Sequence, residues 1–279
     1  MCLSSDCEGD GVDRRDFLLG STVLVGVGAF LNEGATEEKK QPPTRVLDDP
    51  SIQHGKVTFK HGGKDTFDGF LARPKAKGAF PAVLVVAGNR ITEEYIPNTC
   101  AALALAGFVG LAPNTFHPLD GAKTPEEGEK ALKAHTKYDV LQDIQVGADY
   151  LKAQPFVRTG GIGVLGFCFG GWMALMFGAR SLEVDAVVAF HPGYDKLADF
   201  ARLKSPVQLH HGTADRSIDV ATSKKLEEVF KAQKIPVELF LYEGADHGFL
   251  AYTRPFYRPE DALLAWKRTT EFLGKHLKE

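Results

Sequence analysis

A cysteine lies between two kinds of apolar run in Gly166-Phe167-Cys168-Phe169-Gly170-Gly171: the residues before it read as a buried strand, those after it as an apolar helix. A side chain held on such a strand-to-helix turn is presented on a strained backbone. Glycines two positions before and after it let strand and helix approach without a Cβ clash. Thiolates are nucleophiles, and free backbone N–H groups at the start of the helix favour one. The same helix start offers an oxyanion donor at the Phe169 N–H. One turn could therefore supply both the attacking group and electrophilic assistance.

A thiol with ordinary acidity is only a few per cent ionised at neutral pH, so a base normally completes such a site. Two further motifs follow in chain order. His210-His211-Gly212-Thr213-Ala214-Asp215 places a carboxylate after a strand, and Glu243-Gly244-Ala245-Asp246-His247-Gly248-Phe249 places a histidine after the next one. Nucleophile, acid, then base is the chain order of α/β-hydrolases. In those roles His247 takes the thiol proton and returns it to the leaving alcohol, while Asp215 orients the imidazole. Asp246 is a poor substitute for Asp215, because adjacent side chains seldom face each other. His210 and His211 do not predict a metal pair, since neighbouring strand residues point to opposite faces.

These residues need a scaffold, and the rest of the chain predicts an α/β one. Short, nearly all-apolar runs at 81–87, 108–112, 161–167, 186–190, 206–210 and 237–242 read as strands. Between or after them, 98–106, 138–152, 171–180, 219–233 and 259–277 carry apolar residues at helical spacing. Strands buried on both faces and separated by helices imply a mostly parallel sheet covered on both sides. Residues 56–71 are expected to add a leading antiparallel pair, and 124–135 an amphipathic surface helix. Sites in such sheets sit at the carboxyl ends of the strands.

From about Lys56 to Leu277 the chain resembles the dienelactone hydrolase family, the cysteine branch of the α/β-hydrolases. The resemblance rests on the Cys168 turn, on Gly212-Thr213-Ala214-Asp215 and on Asp246-His247-Gly248-Phe249. It implies a Cys168–His247–Asp215 triad, hydrolysis of a cyclic enol ester or similar activated ester, and no metal or organic cofactor. One departure stands out: the family carries a glutamate that helps activate the cysteine where this chain has Gly88, in Val85-Val86-Ala87-Gly88-Asn89-Arg90. Without it, the expectation is a resting thiolate–imidazolium pair, with Glu93 or Glu94 reaching in as the other way to compensate. The same loop, at Gly88 or Asn89, is expected to give the second oxyanion N–H. Arg90 and Arg254 are candidates to clamp a substrate carboxylate, as guanidinium geometry allows. His191, in Phe190-His191-Pro192-Gly193, and His117 are candidate pocket residues.

With 279 residues and 44% apolar content, the chain can fill one large domain. Its 33 basic and 36 acidic residues leave a net charge of −3, which gives no footprint for nucleic acid or an anionic membrane. Arg14-Arg15-Asp16-Phe17-Leu18 followed by an apolar run to Leu31 reads as a twin-arginine export signal over 1–35. That run falls short of the roughly 20 residues of a membrane span. A polar linker is expected over 36–55 and the catalytic domain over 56–279. These readings predict a periplasmic or extracellular monomer that passes through the twin-arginine machinery and acts on a small ester or lactone. Two other readings stay open. A noncatalytic binding protein would be indifferent to loss of Cys168, and a thiol-redox protein would form a reversible Cys100–Cys168 disulfide.

Overall fold

The computed structural model describes residues 44–61, 65–88, 94–116 and 124–277. Among these, eight strands form one sheet: β1 (Ile52–His61), β2 (Asp65–Pro74), β3 (Ala82–Val86), β4 (Val109–Pro113), β5 (Ile162–Phe167), β6 (Val184–Phe190), β7 (Val207–Gly212) and β8 (Val237–Tyr242). Their spatial order is β1-β2-β4-β3-β5-β6-β7-β8. β1, β2 and β4 pair antiparallel, and every other pairing is parallel. The expected α/β-hydrolase scaffold is therefore the observed one, a mostly parallel sheet with helices on both faces.

Successive strand residues point to opposite faces, so a strand buried on both sides feeds two cores. β3 shows this directly. Leu84 and Val86 join one hydrophobic cluster, while Val83 and Val85 join the other. Helix α3 (Lys137–Lys152), α4 (Phe169–Gly178) and α5 (Val220–Ala232) cover the first face, through Val140, Ile144, Met173, Leu226 and Phe230. Helix α1 (Tyr95–Leu105) and α6 (Pro259–Leu277) cover the second, through Ile96, Leu103, Trp266 and Phe272. The remaining helix, α2 (Pro125–Ala134), is the expected amphipathic one. Thr124 caps it by accepting from the Glu127 N–H at 3.2 Å, and a Thr136/Asp139 capping box starts α3.

One boundary needs correction. The polar linker expected over 36–55 overlaps folded structure: β1 begins at Ile52, and the preceding residues are anchored on α1. The Val46 N–H donates to Asn98 Oδ1 at 2.6 Å, and Asn98 Nδ2 donates to the Thr44 carbonyl at 2.8 Å. Val46 and Ile52 are both buried in the second core. The hairpin is also longer at both ends than the 56–71 expected, because β1 alternates His, Lys and Gln with buried residues and lacks an apolar run. The export-signal segment, with Cys2 and Cys7, lies outside the described residues. Among those that are described, no helix is long and apolar enough to cross a membrane.

Candidate active site

The parallel strands end on one edge of the sheet, and the turns after four neighbours, β5 to β8, carry Cys168, His191, Asp215 and His247 in that order. Cys168 follows β5 directly with φ 58° and ψ −122°, a conformation unfavourable for a residue with a Cβ. It is held there from both sides. Its N–H donates to the Phe190 carbonyl of β6 at 2.9 Å, and its carbonyl accepts from the Trp172 N–H at 3.1 Å. A Cβ on Gly170 would run into the Val86 carbonyl oxygen, and one on Gly166 into the Gly170 carbonyl oxygen. The glycines thus permit the close crossing of α4 over β3 and β5 that aims the thiol. Phe169 is the first residue of α4, which puts its backbone N–H at the helix end where peptide dipoles are positive.

Asp215 leaves β7 with its side chain wholly buried. Its Oδ1 accepts the N–H groups of Ser217 and Ile218 at 2.8 and 2.9 Å. Its Oδ2 faces His247 Nδ1 at 2.8 Å and His211 Nε2 at 3.3 Å. Burial alone would raise this carboxyl, but the hydrogen bonds from His211 and His247 outweigh burial and hold it below the ordinary carboxylate range.

His247 follows β8, bonded to Asp215 through Nδ1 at 2.8 Å and with a ring nitrogen within 4.8 Å of the Cys168 thiol. Burial would lower its pKa, yet the negative charges of Cys168 and Asp215 and their hydrogen bonds raise it to about 10. His191 stands beside it, with ring centroids 4.1 Å apart and planes tilted by 48°. Its backbone is strained, at φ 37°. Burial first, then the neighbouring His247, pushes its pKa well below the ordinary histidine value, so it is a neutral imidazole at pH 7. His191 Nδ1 is buried without a hydrogen-bond partner. One donor atom each from Cys168, His191 and His247 lie within 4.8 Å of one another.

The structure thus brings together four of the residues singled out from sequence, and accounts for others elsewhere. Asp246 turns away to Arg216, accepting from its N–H at 3.1 Å and its Nε at 2.7 Å. Glu94 does not reach the thiol: it accepts from the Tyr252 hydroxyl at 2.6 Å and pairs with Arg45 Nε at 3.2 Å. Gly88 backs directly onto the Cys168 turn. A Cβ there would sit 2.6 Å from the Phe167 carbonyl oxygen and 3.1 Å from Cys168 Cβ, so this backbone leaves no room for the family glutamate. Arg254 lies half-buried in the loop after His247, its N–H bonded to the Ala251 carbonyl at 2.8 Å. Asn89, Arg90, Glu93 and His117 lie outside the described residues.

Sequence reasoning missed His211 as a partner of Asp215. It is wholly buried, with Nδ1 at 2.7 Å from Ser223 Oγ and Nε2 at 2.9 Å from the Ile218 carbonyl. A carbonyl and a carboxylate both facing Nε2 require the proton to sit there. The available signal was its place four residues before Asp215 at the end of a strand. Its neighbour His210 points to the other face, as alternation demands. It stacks on Phe190 at 4.4 Å and bonds to the Tyr242 hydroxyl at 2.7 Å.

Comparison with known proteins identifies the family. The model of the dienelactone hydrolase family matches residues 67–277. The carboxymethylenebutenolidase of Pseudomonas sp. strain P51 is 30% identical over 232 residues, covering 78% of this chain and 93% of that protein. A Bradyrhizobium protein assigned as a 2-oxo-3-(5-oxofuran-2-ylidene)propanoate lactonase is 30% identical over 221 residues, covering 75% and 89%. Among solved structures, a Klebsiella pneumoniae protein assigned as a dienelactone hydrolase superposes with a TM-score of 0.71 at 26% identity, covering 80% of this chain and 99% of its own. On fold, family match and relatives together, the chain belongs to the dienelactone hydrolase family and is a hydrolase of lactones or esters.

Proposed function

We propose that the chain hydrolyses a small activated lactone or ester, of the conjugated five-membered-ring type named for its relatives, through a Cys168–His247–Asp215 triad and a thioacyl-enzyme. The observation that carries this reading is the placement of His247 between the two other groups, with Nδ1 on Asp215 Oδ2 at 2.8 Å and a ring nitrogen within 4.8 Å of the Cys168 thiol. The thiolate attacks the carbonyl carbon, and the oxyanion that forms is met by the Phe169 N–H, with Gly88 or Asn89 as the candidate second donor. His247 gives its proton to the departing enolate oxygen, which stays tethered when the substrate is a lactone. The imidazole then draws a proton from water as that water attacks the thioester, releasing acid and thiol.

In this reading His247 and the amino end of α4 together activate Cys168, in place of a glutamate at Gly88. His191, neutral and beside His247, serves as a wall of the substrate pocket, with Arg90 and Arg254 as candidates for a substrate carboxylate. The decisive experiment compares wild type and Cys168→Ala on p-nitrophenyl acetate and a dienelactone-type lactone. Turnover lost in the variant supports the cysteine hydrolase, and the ranking of the two substrates reads how far the lactone specificity extends. Equal turnover by both proteins sinks the triad. The redox reading gains nothing from Cys100, which is free, wholly buried in α1 and pressed against Gly110. Export through Arg14-Arg15 and a monomeric state are further parts of this proposal. Cell fractionation of an Arg14→Lys/Arg15→Lys chain and light scattering read them.

A further inference from the structure

Cys168, His191 and His247 meet a second chemical requirement besides hydrolysis: one thiol and two imidazoles converge on a single point. Their donor atoms lie within 4.8 Å of one another. A tetrahedral zinc ion with Zn–S of about 2.3 Å and Zn–N of about 2.0–2.1 Å needs such donors roughly 3.3–3.6 Å apart. Binding would therefore have to draw the three donors closer together. His191 contributes a separate observation. It is 3% exposed, and its Nδ1 has no hydrogen-bond partner, an orphan that a buried imidazole rarely tolerates. The pocket-wall role leaves that nitrogen unexplained.

We infer that these three side chains form a soft-metal site, taking Zn²⁺ through Cys168 Sγ and one nitrogen each of His191 and His247, with the fourth position left to water. The supporting residues suit the purpose. His247 keeps Nδ1 on Asp215 at 2.8 Å, the carboxylate–histidine–metal arrangement that orients a ligand, and Asp215 is itself held by His211, Ser217 and Ile218. On binding, the thiolate sulfur and the imidazole donate lone pairs to the metal, and the proton they shared passes to solvent. Hard cations such as Mg²⁺ find no oxygen cage here and do not compete. Because the metal occupies the nucleophile and the base together, a loaded site is a closed one: zinc switches the hydrolase off, and chelation restores it. This inhibition rests on the proposed role of Cys168, whereas the binding itself does not.

The test separates the two. Equilibrium dialysis of the metal-free full chain against ZnCl₂ reads binding, and Co²⁺ as a spectroscopic substitute reads ligation through a thiolate-to-cobalt charge-transfer band. The expected result is one zinc per chain, that band in the wild type, and reversal by EDTA. Cys168→Ser abolishes the band, His191→Ala loses saturable binding, and Asp215→Asn, which only reorients His247, weakens affinity about 10–100-fold. Circular dichroism on each variant confirms that it folds, and the cobalt band on the unaltered chain depends on no variant. Zinc bound equally well by wild type, His191→Ala and Cys168→Ser, or no saturable zinc and no cobalt band in the wild type, overturns the inference. Ester hydrolysis followed in the same titration then shows whether occupancy and lost turnover coincide. Binding without inhibition would leave the metal site standing and count against Cys168 as nucleophile.

Discussion

Asp215 is the most heavily engaged side chain of the site, and its four contacts divide into two functions. The Ser217 and Ile218 N–H groups fix one oxygen, while His211 and His247 compete for the other. Asp215→Asn keeps the shape but presents an amide to His247, which favours the wrong tautomer. A fall in kcat/KM of about 10⁴-fold is expected with the fold intact, read by steady-state kinetics beside circular dichroism. His211→Leu acts at one remove. It strands the Ser223 hydroxyl and the Ile218 carbonyl and removes a hydrogen bond to a charged group, so urea denaturation should show a loss of about 1–3 kcal/mol. Alkylation reports on the thiol: iodoacetamide should modify Cys168, and His247→Ala should slow that reaction. Cys168, Asp215 and His247 were legible because each sits in a short motif beside a recognisable strand end. The role of His211 was not, because its partners are fixed by β7 ending beside the start of α5. His191 was singled out only as a candidate pocket residue; its contact with His247 could not be read, because it spans the strand between them.

At the scale of elements, the site depends on how closely α4 crosses the sheet. Gly170 lies where a methyl group would strike the Val86 carbonyl, which is backbone and cannot swing aside. Gly170→Ala therefore forces α4 away from β3 and is expected to cost about 1–3 kcal/mol or more, seen as a lower urea midpoint at unchanged slope. Activity should fall further than stability, because the same shift moves Cys168 relative to His247. The six parallel strands were legible in the sequence as apolar runs, with ends displaced by one or two residues, because burial on both faces leaves little room for polar residues. The hairpin was read too short for the opposite reason. β1 and β2 flank the sheet, their polar residues alternate with buried ones, and no composition signal marks where pairing stops. Thr44 to Asp49 were read as linker because their anchorage is a pair of hydrogen bonds to Asn98, more than fifty residues away.

For the whole molecule, buried histidines set the response to acid. His191 is held well below the ordinary histidine value by burial and by His247, and His210 is lowered to about 3 by burial beside Arg268. An unfolded chain takes up protons on both as pH drops below about 6.5, whereas the folded chain resists. The sign follows: folding stability is full above that value and is lost as pH falls from there toward 3. Each histidine contributes up to about 1.4 kcal/mol per pH unit. Urea midpoints at pH 7, 6, 5 and 4 should decline steadily, and His210→Gln should flatten the decline. A decline unchanged in that variant would assign the acid response to other groups.

The tie between Arg45, Glu94 and Tyr252 has a practical side. Glu94 immediately precedes α1, Tyr95 packs edge-on against Phe167 beside Cys168, and Tyr252 follows His247 by five residues. Through Arg45, the first described residues are thus tied to the end of the sheet that carries Cys168 and His247. Arg158, just ahead of β5, instead holds the Leu277 carbonyl at the opposite edge of the sheet. For immobilisation on a surface or fusion to a reporter, the carboxyl end is the handle that leaves the entrance clear.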